Sequence, residues 1–140
     1  MEKLTIVNWG AGGQGKSESI KAAFHLLQQK YPSEVLIDDG DIKALIQMGD
    51  VLIGLESQGD PDYRQEESLK DFVTKGCQII ICACRSKGST RWAVEALADQ
   101  GYRIIWTQND RTDNPAWHHL FNLQYAERIV RMVEESSHRF

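Results

Sequence analysis

The chain has 140 residues, of which 16 are Lys or Arg, 20 are Asp or Glu and four are His, and its formal net charge at pH 7 is -4. A chain of about 150 residues buries roughly 70% of its unfolded surface, so residues 1–140 are long enough to form one domain with a real core. Hydrophobic residues at 41% and charged residues at 26% exclude intrinsic disorder as the general description. The acidic balance argues against a dedicated nucleic-acid binder.

Membrane and export signals are not found in the sequence. No apolar stretch approaches the roughly 18 residues that a membrane helix needs. Residues 1–7 lack the basic start and long apolar run of a secretion signal. Three cysteines, an odd number, argue against a disulfide framework and suit a reducing compartment. We therefore expect a cytoplasmic protein that does not bind a membrane.

Strand-like and helix-like segments alternate along the chain. Strands are predicted where apolar residues run together, and helices where apolar residues recur every three to four positions. The predicted strands cover 4–8, 34–37, 78–84 and 102–107, and the predicted helices cover 17–30, 61–75, 90–100 and a segment that begins at Asn114.

Residues 42–56 have the pattern of a β-hairpin. Apolar residues occupy alternate positions on both sides of Gly49-Asp50, which is a two-residue turn signal. These positions are Ile42, Ala44, Ile46 and Met48 before the turn and Val51, Ile53 and Leu55 after it. A short helix over 42–47 is the alternative. With strands otherwise separated by helices, the sequence predicts an α/β fold. We expect three layers, α/β/α, around a mostly parallel sheet of about five strands.

A glycine-rich segment follows the first predicted strand. Residues 10–17 read Gly-Ala-Gly-Gly-Gln-Gly-Lys-Ser, which matches every fixed position of the phosphate-loop pattern. Glycines allow successive backbone N–H groups to curl around phosphate oxygens, and the helix that follows presents the positive end of its dipole to the same anion. Here the chain resembles the P-loop nucleoside triphosphate hydrolases, and it is also similar to short bacterial and phage proteins described as ATP-binding.

The resemblance implies a fold of the P-loop type that binds a purine nucleoside triphosphate, ATP or GTP with ATP preferred, together with Mg²⁺. Lys16 is expected to bridge the outer phosphates, and the hydroxyl group of Ser17 to ligate Mg²⁺. The nucleotide-binding residues expected from this segment are Gly10, Ala11, Gly12, Gly13, Gln14, Gly15, Lys16, Ser17 and Glu18.

A dinucleotide site is the competing interpretation of the same glycines. Gly10, Gly12 and Gly15 are also spaced as G-x-G-x-x-G, and Asp38 lies about where a ribose-binding acid is expected. A dinucleotide fold has no need for Lys-Ser at positions 16–17, and a hairpin at 42–56 breaks the βαβαβ alternation that such a fold requires. The phosphate loop is therefore preferred.

Two acidic segments compete for the metal. Glu56 ends an apolar run, and Glu56 to Gly59 has the spacing of the D-x-x-G switch of Ras-like GTPases, with Glu in place of Asp. That resemblance implies that Glu56 holds Mg²⁺ and that the N–H group of Gly59 contacts the γ-phosphate, with Gln58 able to orient a water. The alternative is 38–41, Asp-Asp-Gly-Asp, which resembles the segment after the second strand of several small-molecule kinases.

Two further segments follow predicted strands on the ligand side. A basic turn contains Arg85, Lys87 and Arg91, and Arg85 is the best candidate to stabilise charge on a transferring phosphoryl group. The segment 107–110, Thr-Gln-Asn-Asp, matches the guanine-reading [N/T]-K-x-D of GTPases at its first and last positions but lacks the lysine.

These observations lead to three hypotheses about function. The first is Mg²⁺-dependent ATP hydrolysis with Lys16, Glu56 and Arg85 as catalytic residues. The second is a small-molecule or nucleotide kinase with 38–41 near the acceptor. The third is a GTPase-like switch module whose nucleotide orders the segment 57–64 for a protein partner. The sequence leaves open which partner, or whether a homodimer, is involved.

Overall fold

The structure is a computed structural model, and it describes residues 2–10, 15–110 and 112–137. The predicted α/β class is confirmed. The described residues form one six-stranded mixed sheet and four α-helices. The strands are β1 (Lys3–Trp9), β2 (Ser33–Asp38), β3 (Ile42–Met48), β4 (Val51–Glu56), β5 (Ile79–Cys84) and β6 (Tyr102–Thr107). The helices are α1 (Lys16–Lys30), α2 (Gln65–Thr74), α3 (Ser89–Glu95) and α4 (His118–Ser136).

The sheet has the strand order β2-β3-β4-β5-β1-β6. β1 pairs in parallel with β5 and β6, and β4 pairs in parallel with β5, whereas β2-β3 and β3-β4 are antiparallel pairs. The expected mostly parallel sheet of about five strands is therefore corrected to a mixed sheet of six. The reason is that the turns 39–41 and 49–50 are too short for a crossover, so β2, β3 and β4 can pair only as an antiparallel meander.

The hairpin predicted at 42–56 is confirmed. β3 and β4 pair from Lys43 opposite Glu56 to Met48 opposite Val51. Gly49 has φ of 60° in the turn, a backbone conformation that glycine adopts at no steric cost. The alternative of a helix over 42–47 is wrong, because alternate residues of β3 are buried in the core with a period of two.

Helices cover both faces of the sheet. One apolar cluster joins α1 and α4 to one face, with Phe24 of α1 and Ile129 of α4 fully buried. A second cluster joins α2 and α3 to the other face, with Phe72 of α2 and Val94 of α3 in its interior. The molecule therefore has the three layers that the alternating pattern predicts.

Helix boundaries differ from the prediction in three places, at the starts of α2 and α4 and at the end of α3. The helix predicted over 61–75 begins at Gln65, because residues 61–64 form a turn. The helix predicted over 90–100 is α3 followed by a 3-10 turn, Ala96–Gln100, which ends at Gly101. Asn114 caps the next 3-10 turn, Pro115–Trp117, by accepting a hydrogen bond from the N–H group of Ala116. Every helix within the described ranges is too short or too polar to cross a membrane.

Candidate functional site

A cleft of about 280 Å³ opens at the carboxyl ends of β4 and β5, beside the start of α1. Ligands of open α/β sheets bind at this edge, because the loops that follow parallel strands meet there. The cleft is lined by Gly15, Lys16, Ser17, Glu18, Asp41, Ser57, Gln58, Gly59, Asp60 and Ala83.

The two ends of the glycine-rich segment are joined at this cleft. Ala11, Gly12, Gly13 and Gln14 lie outside the described residues, so the path of the loop between Gly10 and Gly15 is not part of the description. Gly10 donates its N–H to the carbonyl of Cys84 at 3.2 Å, and the Lys16 Nζ donates to the carbonyl of Gly10 at 3.0 Å. Gly15 has φ of 74°, in the left-handed region that favours glycine. The bond from Lys16 therefore joins the residue that follows β1 to the first turn of α1.

Lys16 is buried beside the cleft, with 7% of its surface exposed. Burial lowers the pKa of its ammonium group, and the positive charge of Arg85 lowers the pKa further, while Asp60 acts in the opposite direction. An anion that entered the cleft would offset both unfavourable effects. Lys16 therefore presents a positive charge at the cleft that burial and Arg85 both destabilise.

Asp41 is the acid that meets the predicted magnesium-binding serine. The Ser17 hydroxyl donates a hydrogen bond to the Asp41 carboxylate, and the Ser57 hydroxyl donates to the same carboxylate at 2.8 Å. Ser57 is fixed in turn, because its Oγ accepts from the N–H group of Ile42 at 2.8 Å. Of the two acidic segments that the sequence left open, the one at 38–41 is therefore the segment that reaches Ser17.

Glu56, in contrast, faces the interior between β4 and α2. It is fully buried, and its carboxylate accepts from Arg64 Nε at 2.7 Å, from the Ser68 hydroxyl at 2.7 Å and from the Gln58 N–H at 3.1 Å. It does not line the cleft described above. The geometry does not support the expectation that Glu56 holds Mg²⁺ or acts in catalysis, because both of its oxygens are engaged in an internal ion pair.

The acidic turn between β2 and β3 is held from two sides. Arg64 bridges the buried Glu56 to Asp39, whose Oδ2 lies 2.6 Å from Arg64 Nη1, and this hydrogen bond lowers the pKa of Asp39. On the side of α1, the Lys21 Nζ donates to the carbonyl of Gly40 at 2.7 Å. These contacts fix the position of Asp41 against Ser17.

The backbone of Gly59 lies against Ala83. A Cβ atom at this position would lie 2.7 Å from the Cβ of Ala83 and 2.9 Å from its carbonyl carbon, so only glycine fits without a shift. The neighbouring Gln58 also lines the cleft, and its Oε1 accepts from the N–H group of Asp60 at 2.6 Å. The structure thus brings Gly59 and Gln58 to the cleft, as the sequence predicted, although Glu56 turns away.

The three predicted basic residues after β5 have different surroundings. Arg85 lies at the edge of the cleft, where its Nε and Nη2 contact Oδ1 of Asp60 at 3.0 and 2.8 Å. Arg91 is stacked instead against the rings of Trp106 and Trp9, with centroid distances of 4.3 and 5.4 Å. Lys87 is exposed. Arg85 is therefore the member of this group that the fold places beside the cleft.

The segment 107–110 is engaged in the fold. The Thr107 hydroxyl donates to the carbonyl of Val7 at 2.8 Å and contacts the hydroxyl of Tyr125 at 2.7 Å. Asn109 accepts from the buried Asn8 side chain at 3.2 Å. Thr107 and Asn109 are therefore held by contacts within the fold. These contacts provide no support for guanine recognition.

Sequence reasoning did not identify Ser57 and Asp60 as residues of the site. Both residues follow the apolar run of β4, and their position after a predicted strand was the one feature of the sequence that could have indicated a place in the site. Their roles depend on partners 16 and 25 positions away along the chain, Asp41 and Arg85, which spacing alone does not reveal.

No protein-family model, curated protein or solved structure matches this chain.

Proposed function

We propose that the chain binds a purine nucleoside triphosphate, ATP in preference to GTP, as its magnesium complex, and hydrolyses it as a P-loop ATPase. One observation carries the proposal: Lys16, Ser17 and Asp41 converge on one cleft at the carboxyl ends of β4 and β5. A cation for phosphate, a hydroxyl for a metal and a carboxylate to complete the metal site are the groups that phosphoryl transfer requires. The preceding glycines supply the matching loop.

The oxygen donors around Ser17 fit Mg²⁺. Two hydroxyl groups, of Ser17 and Ser57, and the carboxylate of Asp41 are hard ligands of the type that Mg²⁺ prefers. No cluster of three or more His, Cys, Asp and Glu side chains suited to a metal occurs within the described ranges. Mg²⁺ in phosphoryl-transfer sites usually has one or two carboxylates and completes its coordination with water and substrate phosphates. When bound, the ion would neutralise charge on the β- and γ-phosphates.

The residues of the chain then have separate roles. Lys16 binds the outer phosphates, and Ser17 with Asp41 orients the metal. Gly59 brings the backbone of 57–60 against the terminal phosphate, and Arg85 stabilises charge on the transferring group. Positioning and charge stabilisation account for such a reaction without a covalent intermediate.

A kinase is the second candidate, and the acidic turn favours it. Asp41 lies in the cleft, and Asp39 is fixed next to it by Arg64. A carboxylate at this place could accept the proton of an acceptor hydroxyl group instead of holding the metal. Turnover that requires an acceptor would identify a kinase, turnover in water alone an ATPase, and binding without turnover a switch module.

Lys16→Ala tests the proposal directly. We expect the variant to lose binding of Mg²⁺–ATP, because the cation for the outer phosphates is removed while the apolar clusters stay intact. Isothermal calorimetry with ATP, GTP and NAD, each with and without Mg²⁺, measures the change. Lys30→Ala is the matched control, since Lys30 lies at the other end of α1 and pairs with Glu134.

Two results would contradict the proposal. The first is unchanged ATP affinity in a Lys16→Ala variant whose far-ultraviolet circular dichroism spectrum matches that of the wild type. The second is binding of NAD without binding of ATP or GTP, which would favour the dinucleotide interpretation. Ligand at 100 times its Kd should stabilise the fold by about 2.7 kcal/mol, so thermal unfolding gives an independent readout.

A further inference from the structure

The ion pair between Arg85 and Asp60 occupies the edge of the cleft. Both nitrogen atoms of Arg85 that face Asp60 contact the same oxygen, Oδ1, at 3.0 and 2.8 Å. The two side chains are 39% and 47% exposed, so solvent screens the pair, and exposed pairs of this kind are weak. A second anion that reaches Arg85 would therefore compete with Asp60 effectively.

Asp60 lies in the same cleft as the residues that the proposed function assigns to the phosphates. Asp60 lines the cleft together with Lys16, and the N–H group of Asp60 is held by the Gln58 side chain at 2.6 Å. The preceding residue, Gly59, rests on Ala83. The charges of Arg85 and Asp60 both act on Lys16, so the three groups share one electrostatic environment. In the proposed function the terminal phosphate lies beside Gly59, which is adjacent in sequence to Asp60.

We propose that Asp60 is a specificity-determining residue, whose carboxylate competes with the terminal phosphate of a bound nucleoside triphosphate for the guanidinium group of Arg85. This inference rests on the proposed function. A phosphate group offers more negative charge and more acceptor oxygens to a guanidinium than a carboxylate does, so the triphosphate displaces Asp60 and a diphosphate, which lacks the third phosphate, does not. Asp60 therefore lowers the affinity for the triphosphate and leaves the affinity for the diphosphate nearly unchanged.

Asp60→Asn tests this competition. Because an exposed ion pair contributes little free energy, we expect the affinity for ATP to rise by about fivefold and the affinity for ADP to change by less than about twofold. Isothermal calorimetry measures both affinities, with Mg²⁺ and also in EDTA. The gain should be largest at low ionic strength, because an exposed ion pair is screened by salt. Asp99→Asn is the control for net charge, because it removes the same charge far from the cleft. Asp99 lies in the 3-10 turn Ala96–Gln100, which precedes β6 at the amino ends of the parallel strands.

A double-mutant cycle assigns the effect to Arg85. In Arg85→Gln the further change Asp60→Asn should give no gain in ATP affinity, because the guanidinium for which the two anions compete is absent. Asp60→Ala is a second variant that removes the same carboxylate. Far-ultraviolet circular dichroism and thermal unfolding show whether each variant is folded.

The outcomes separate this inference from the proposed function. If Lys16→Ala abolishes ATP binding but Asp60→Asn gives no gain over Asp99→Asn, the competition is disproved and the proposed function stands. A gain that is equal for ATP and ADP, or that persists in Arg85→Gln, also disproves it. A loss of ATP affinity confined to the Mg²⁺ condition would instead assign Asp60 to the metal. If neither the wild type nor Asp60→Asn binds ATP, both proposals are overturned.

Discussion

Glu56 shows how the partners of a single residue determine its role. Its position after an apolar strand is typical of a metal-binding acid, but Arg64, eight residues later, pairs with it at 2.7 Å. Hydrogen bonds to Glu56 and Asp39 raise the pKa of Arg64 despite the opposing effect of its burial, so the guanidinium stays charged. The pair connects the end of β4 to the residue that precedes α2, and this contact accounts for the position of Glu56 without a metal.

Glu56→Gln should therefore destabilise the fold more than it weakens magnesium binding. Removing the charge of a buried partner leaves Arg64 poorly compensated, and broken buried pairs typically cost about 3–5 kcal/mol of the free energy of unfolding. Urea titration of the variant measures this loss. Glu67→Gln, an exposed acid in the first turn of α2, is the control. Unchanged stability combined with weaker Mg²⁺ binding would restore Glu56 as the metal ligand.

Residues whose place in the cleft could be predicted from the sequence belong to a pattern that is local along the chain, whereas the other residues depend on partners that are distant in sequence. Lys16 and Ser17 belong to a contiguous pattern whose chemistry is local, and the structure brings both to the cleft. Which of Glu56 and Asp41 reaches Ser17 depends on Arg64 and Ser57, which contact those acids through tertiary packing. No spacing rule specifies such contacts.

At the level of elements, β3 and α2 are linked by a partly buried ion pair. Lys43 of β3 lies 2.9 Å from Asp71 of α2, and Lys75 lies 2.8 Å from the other oxygen of the same carboxylate. The hydrogen bond from Lys75, and then that from Lys43, lowers the pKa of Asp71 below its ordinary value of 3.8. The contact ties the second helical layer to the antiparallel part of the sheet.

This shift makes part of the stability depend on pH. The folded-state pKa of Asp71 lies below the unfolded value, so the contribution is complete above the unfolded pKa and is lost as pH falls through the folded one. We expect Asp71→Asn to reduce the free energy of unfolding at pH 7 by up to about 1 kcal/mol and to have little effect at pH 2. Urea titrations at the two pH values measure the difference, with Asp50→Asn as the control. An equal loss at both pH values would contradict the electrostatic explanation.

The boundaries of the elements were predictable where the local signal is strong. The turn signal Gly49–Asp50 predicted the hairpin, and the alternation of apolar residues in β3 predicted which face of the strand is buried. The direction of pairing between β2 and β3 was missed, because it depends on the length of the connection at 39–41. The start of α2 was also missed, since Pro61 suits a helical first turn but the turn over 61–64 precedes the helix.

At the scale of the whole molecule, protection from solvent decreases from the centre of the sheet to its edges. Every residue of β5 is buried, whereas β2 pairs with one neighbour and most of its residues are exposed. Regions with few buried contacts open at lower free energy than the core. β2 is therefore expected to be the least stable strand.

Native-state hydrogen exchange provides the test. Amides of β2 should exchange at least about 100-fold faster than those of β5, a difference of roughly 2.7 kcal/mol in opening free energy. Val35, which is 42% exposed, lies in this strand and should be among the fast group. Protection of β2 equal to that of β5 would mean that the sheet opens as one cooperative unit.

The position of β5 between β1 and β4 has a consequence for the dimensions of the cleft. Two strand spacings, roughly 9–10 Å, separate the strand that leads into the glycine-rich segment from the strand that ends at Glu56. Residues 57–60 cross that gap above the end of β5, where Gly59 touches the methyl group of Ala83. The methyl group of Ala83 thus limits how closely residues 57–60 approach the end of β5, and a larger side chain at this position would displace Asp60 together with Arg85.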